Sequence, residues 1–178
     1  MNKSKLSFTI IGALLMLFTF QVNAQDFKSL DKSPLDAAAY PSSHKESKKS
    51  IKVIYSRPQL KERSLEKLVP NGKVWRTGAN EASEITFYND AVFGGKKVKA
   101  GTYALFTIPG EKEWTIILST DLNVWGSYSY NQANDVVRVT APVTEGEKSL
   151  EAFSIAFDDA GTMFLGWDTL RVAVAITK

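Results

Sequence analysis

The chain has 178 residues, a formal charge of +3, one histidine and no cysteine, which excludes a disulfide framework, a lipid-anchoring cysteine and a thiolate zinc site. Its length suits one domain with a substantial core. Removing Lys3 and Lys5 with the leader described next lowers the charge to about +1, so the basic balance leaves no footprint for nucleic acid.

Residues 1–24 read as an export signal. Lys3 and Lys5 make the positive region, Leu6 to Phe20 the apolar one, and Val22-Asn23-Ala24 the small residues of a cleavage site. The apolar run falls short of the ~20 residues that span a bilayer. The expectation is therefore a periplasmic or secreted protein with no transmembrane segment once the leader is removed. Residues 25–50 read as a polar lead-in carrying Pro34, Pro41 and the charged run HKESKK, with Leu35, Ala37, Ala39 and Tyr40 able to lie along a sheet.

From residue 51 the dominant period is two, and residues 51–178 read as a single domain. Ile51, Val53 and Tyr55 share one face. Ser64 to Val69 breaks the period: Leu65, Leu68 and Val69 stand at helical spacing behind an N-cap serine, and Pro70-Asn71-Gly72 ends the turn. VWRTGANEAS (74–83) then crosses from strand to strand. Ile85 and Phe87 face away from Thr86 and Tyr88. TYALFTIPG and WTIILST are apolar on both faces, as in strands covered twice. Val137 and Val139 oppose Arg138 and Thr140; Phe153, Ile155 and Phe157 align; Leu170, Val172, Val174 and Ile176 align against Arg171 and Thr177. Turns are expected at Asn89-Asp90, Gly94-Gly95, Ala100-Gly101, Pro109-Gly110, Glu145-Gly146 and Ala160-Gly161. The pattern predicts an all-β fold, an antiparallel β-sandwich with one short helix.

Few constellations point to chemistry. Ser64 and Lys67 form S-x-x-K, but the companion motifs of penicillin-recognising enzymes are missing and the serine already has a capping role. His44 stands alone in the lead-in, which removes a serine–histidine relay, and no metal or cofactor is expected. The oxygen-rich stretches YND (88–90) and FDDAGT (157–162) sit at hairpin turns, where Asn and Asp serve the backbone. Arginines are more telling: Arg57, Arg63 and Arg76 fall within twenty residues in a lysine-rich chain. They read either as an anion pocket or as a structural network in which Arg57 or Arg76 pairs Glu81 or Glu84. Trp75, Trp125, Tyr128, Tyr130 and Trp167 supply rings for a core or for a sugar-stacking platform.

At YSRP (Tyr55 to Pro58), LVPNGKVWRTGANEA (Leu68 to Ala82) and AGTYALFTIPGEKEWTIIL (Ala100 to Leu118) the chain resembles domain of unknown function family 2911, a bacterial family of exported proteins. The likeness continues through WGSYSY (Trp125 to Tyr130) and DVVRV (Asp135 to Val139). A small-Pro-Arg-Ala stretch common in the family reads SPLD (Ser33 to Asp36) here, and its Lys-Gly-Arg reads KER (Lys61 to Arg63). The resemblance implies the fold and the compartment and carries over no catalytic or binding residue.

The residues together favour a non-enzymatic binding module for a small polar ligand, an anion or a sugar. Arg57 and Arg76 would hold charge or hydroxyls, Asn80 and Glu81 would exchange hydrogen bonds, and Trp75 or Trp125 would stack, beside a Gly78 that permits close approach. The alternatives are a metal-independent hydrolase using Glu81 and Glu84, whose spacing on a strand would send them to opposite faces, and an envelope structural or interaction protein. Oligomeric state is left open.

Overall fold

Period-two sequence needs a partner strand on each side and a buried face, and one curled sheet supplies both. A computed structural model describes residues 26–178, and its elements all lie in the unit Asp31–Lys178; the leader reading of residues 1–24 falls outside the described residues. The strands are β1 (Leu35–Tyr40), β2 (Ile51–Ser56), β3 (Ser83–Phe87), β4 (Ala91–Phe93), β5 (Lys96–Val98), β6 (Gly101–Ile108), β7 (Glu113–Ser119), β8 (Asp135–Phe157), β9 (Met163–Val174) and β10 (Ile176–Thr177). The helix α1 (Leu65–Leu68) lies between β2 and β3. Seven strands form an antiparallel sheet in the order β1-β2-β3-β6-β7-β8-β9, and β10-β4-β5 form a small second one. This is the expected all-β antiparallel architecture, with the large sheet curled towards a half-barrel.

The curl comes from β8. Its first part pairs β7 and its second part pairs β9, with register shifts on either side of Leu150. The turn expected at Glu145-Gly146 is therefore absent, and the strand runs through it. At Gly146 the Arg171 guanidinium packs across the backbone, 2.8 Å from where a Cβ would stand. Arg171 also donates to the Lys148, Asp168 and Leu170 carbonyls, bonding backbone that the irregular pairing leaves over. The far part of β8 then meets the chain leaving β2: Leu60 N–H donates to Glu151 O and Phe153 N–H to Pro58 O, both at 2.9 Å.

The concave side holds the main core. Val53, Tyr55, Ile85, Phe87, Leu105, Ile116, Leu118, Phe153, Leu165 and Val172 point into it, each almost wholly buried. Each such side chain removed from water contributes roughly 1.5–3 kcal/mol. The small sheet closes one end, with Phe93 edge-on to Phe87 at 6.1 Å. A second core on the convex side consists of Ala82, Ala104, Phe106 and Ile117, covered by Val74, Ile108, Val124 and Tyr130. It explains why the sixth and seventh strands are apolar on both faces: the 120–134 segment folds back over them.

Two sequence expectations meet detail here. LDAAAY, inside the polar lead-in, pairs along its full length with β2. Ala38 and Tyr40 turn towards the core, whereas Leu35 stays 69 % exposed. Ser64 does precede α1 in extended conformation, but its side chain makes no cap bond, and Val69 closes the turn through its N–H to Leu65 O at 2.8 Å.

Candidate functional site

Trp75 begins the site as an anchor. It exchanges two backbone hydrogen bonds with Thr107 of β6, at 2.7 and 2.9 Å. Its indole packs against Phe153 at 5.0 Å, stacks on Trp167 at 5.8 Å and meets Trp114 at 6.0 Å. Its Nε1 donates to Gly78 O at 3.1 Å, so the ring faces the core and holds the turn that follows. That turn is tight. Ser83 Oγ donates to Thr77 O at 2.7 Å, and a Cβ on Gly78 would lie 2.9 Å from Ser83 Oγ and 3.1 Å from Ser56 O. Backbone approach, not a positive φ, requires glycine there.

Beyond the turn, residues 80–82 run antiparallel to 124–126. Ala82 N–H donates to Val124 O and Gly126 N–H to Asn80 O, both at 2.9 Å, which leaves Glu81 and Trp125 facing each other as a pair without a direct backbone bond. In such a pair the two side chains leave on the same side and stand close. Ala82 and Val124 turn the other way into the convex core. Glu81 and Trp125 are consequently exposed together, Trp125 at 59 %.

Beside this pair lies a groove of about 270 Å³ lined by Leu35, Ile54, Ser56, Glu81, Glu84 and Asn123. Glu81 and Glu84 share it because Glu81 precedes the strand that starts at Ser83, so alternation does not separate them. Glu84 Oε1 accepts the Asn123 N–H at 2.9 Å. The lead-in reaches the same region: the Ser33 N–H and then the Asn80 amide hold the Asp31 carboxyl below its ordinary range.

Arg57 is engaged elsewhere. Its Nε donates to Phe153 O at 3.1 Å, one terminal nitrogen to Asp36 at 3.1 Å and the other to Ser154 Oγ at 2.8 Å. Its carboxylate partner is thus Asp36, not Glu81 or Glu84. Arg76 and Glu81 do not hold each other either; among the described residues the Arg76 side chain has no ion pair or hydrogen bond, and its Nε is buried. A buried donor left unmet costs about 1–3 kcal/mol. Tyr128 and Tyr130 separate. Tyr128 is 85 % exposed, while Tyr130 packs on Phe106 at 5.2 Å and donates to Asp135 Oδ2 at 2.7 Å.

Of the residues singled out in the sequence, Asn80, Glu81 and Trp125 therefore lie on one two-stranded ribbon and the Arg76 guanidinium reaches it beside Gly126, whereas Trp75 faces the core and Arg57 ties β2 to β1 and β8. Asp31, Asp36, Asn123 and Ser154 were not anticipated. Asp36, Asn123 and Ser154 each lie far along the chain from the residue they bond, and no local pattern marks them.

A family model described as a protein of unknown function, DUF2911, matches residues 34–176. The chain belongs to the DUF2911 family. No curated protein and no solved structure matches it. In this DUF2911 protein the matched span includes the whole ribbon and groove and leaves out Asp31. Other groups weighed for chemistry have structural settings. Asp158 Oδ1 accepts the Ala160 and Thr162 N–H groups, and Asp90 accepts the Ala100 N–H and pairs Lys99, so both serve turns. Among the described residues no three His, Asp or Glu side chains gather as a metal site, and no helix is long and apolar enough to cross a membrane.

Proposed function

We propose that this DUF2911 protein is an exported, non-enzymatic binding module for a small hydroxyl-rich ligand, a sugar. The Glu81–Trp125 pair carries the reading: an open indole stands beside a carboxylate at the rim of a groove that also offers Glu84, Asn123 and the apolar Leu35 and Ile54. Sugar rings pack their CH faces on indole while carboxylate and amide oxygens accept hydrogen bonds from the hydroxyls. Export rests on the leader pattern of residues 1–24, and an envelope fraction yielding a chain that begins at Gln25 would support it.

A thermal-shift and calorimetric screen of oligosaccharides tests the reading. Binding is expected, weakened at least about tenfold by Trp125→Ala with little change in melting temperature. A screen with no binder, or a binder indifferent to Trp125→Ala, overturns it. One observation favours hydrolysis as a second reading: both Glu81 and Glu84 line the groove, as two-carboxylate glycoside chemistry requires. Release of reducing ends that disappears in both Glu81→Gln and Glu84→Gln would establish it; turnover surviving either change would remove it.

A further inference from the structure

The chain has five arginines, and four engage their guanidinium groups inside the fold. Arg57 uses all three nitrogens, and Arg63 donates to the Gln59 and Leu60 carbonyls. Arg138 reaches Tyr130 and Asp135, and Arg171 reaches three carbonyls of the β8–β9 hairpin. Arg76 is the exception: among the described residues its side chain bonds to nothing, although its Nε is shut off from water. The residue as a whole is half-buried, with only the Nε closed off, and the planar fork of an unpaired guanidinium matches a carboxylate or sulfate.

Its position makes the vacancy of partners informative. Arg76 Nη1 lies 3.2 Å, and the Tyr128 ring 2.7 Å, from the point where a side chain on Gly126 would begin. Gly126, with φ at 70° and no side chain, leaves room for the guanidinium and the ring beside that one backbone segment. Tyr128 is 85 % exposed, and Trp125, next to Gly126, is 59 % exposed. One cation thus approaches a run of four residues, Trp125 to Tyr128, that carries two open rings.

We infer that the ligand is a saccharide bearing a single acid group, a carboxylate or a sulfate, and that Arg76 binds that group. The inference rests on the binding-module reading and narrows it. Glu81 and Glu84 on the neighbouring groove repel a densely charged polyanion, so one acid unit in an otherwise neutral oligosaccharide fits the charges best.

The full protein is titrated calorimetrically with a panel of neutral tetrasaccharides and with the same tetramers carrying one uronate or one sulfate. An acidic tetramer is expected to bind at least about tenfold tighter than its neutral parent, with the preference falling as salt rises. Arg76→Gln is expected to abolish the preference and Arg76→Lys to keep only part of it, because lysine lacks the bidentate fork. The tighter of the uronate and sulfate arms identifies the acid. Equal binding of neutral and acidic tetramers, or a preference surviving Arg76→Gln, overturns the inference and leaves the binding module standing. No binding across the panel overturns both. Should Arg76→Gln fail to fold, the native protein still decides: the Arg76 Nε–H resonance must shift on adding the acidic tetramer while that of Arg57 stays, and an unmoved Arg76 signal overturns the inference.

Discussion

Tyr55 and Ile155 exchange two hydrogen bonds across the opening of the curled sheet: the Ile155 N–H donates to the Tyr55 hydroxyl oxygen at 3.0 Å, and that hydroxyl faces Ile155 O at 3.4 Å. A phenol on β2 thus does for β8 what a neighbouring strand would do. Burial is the main cause pushing the Tyr55 hydroxyl above its ordinary range, so the group remains a neutral donor at physiological pH. Tyr55→Phe would leave the Ile155 N–H buried and unmet, for about 1–3 kcal/mol. Chemical denaturation should show a lower midpoint with an unchanged slope; an unaltered midpoint would mean that the phenol is dispensable.

Arg57 closes the same opening two residues further on. The side chains of its ion pair with Asp36 are 35 % and 42 % exposed, so Asp36→Ala should lose at most about 1 kcal/mol. Arg57→Lys keeps the charge but cannot reach Phe153 O, Ser154 and Asp36 together, and should lose more, about 1–3 kcal/mol. The reverse order of the two effects would show that the carboxylate, not the fork, matters at this seam.

The tryptophans of the ribbon separate core from surface. Trp75→Ala removes a ring packed on Phe153, Trp114 and Trp167 and should lose about 3–5 kcal/mol, enough to lower the melting temperature steeply. Trp125→Ala, at an exposed position, should stay within about 0.5 kcal/mol of the parent protein. Similar losses from both would contradict the exposed Glu81–Trp125 pair.

Tyr130 predicts an alkaline signature. Burial first, and then its hydrogen bond to Asp135, raise its hydroxyl from 10.0 to about 12. Because the folded value exceeds the unfolded one, the unfolded chain releases this proton first. The contribution is complete below about pH 10 and is lost as pH rises through 12. The stability difference between the parent and Tyr130→Phe should therefore shrink between those values; a difference constant with pH would rule out the linkage.

Alternation, turn residues and the paired Pro-Asn-Gly stop after Leu68 were enough to read β2, β3, β6, β7 and β9 and the short helix from the chain alone, because each depends on neighbours two to four residues away. Doubly apolar TYALFTIPG and WTIILST also announced a covering on both faces, which the 120–134 segment provides. Glu145-Gly146 misled for a physical reason. The strand runs straight through Gly146, where the Arg171 guanidinium lies across the backbone, a contact 25 residues away that no turn rule contains.

The composition by itself determined that packing must hold this fold without disulfides, and local pattern determined that its elements are antiparallel strands. Only the tertiary structure decided the fate of Arg57 and of the stretch WRTGANE (75–81). It gave Arg57 to Asp36, turned Trp75 inward, set Glu81 beside Trp125 and left Arg76 without a partner. Side-chain types state what a residue can bond. Which bond forms depends on the strand register and loop closure that bring distant segments within about 3 Å, and those are settled by the whole sheet rather than by any stretch of sequence.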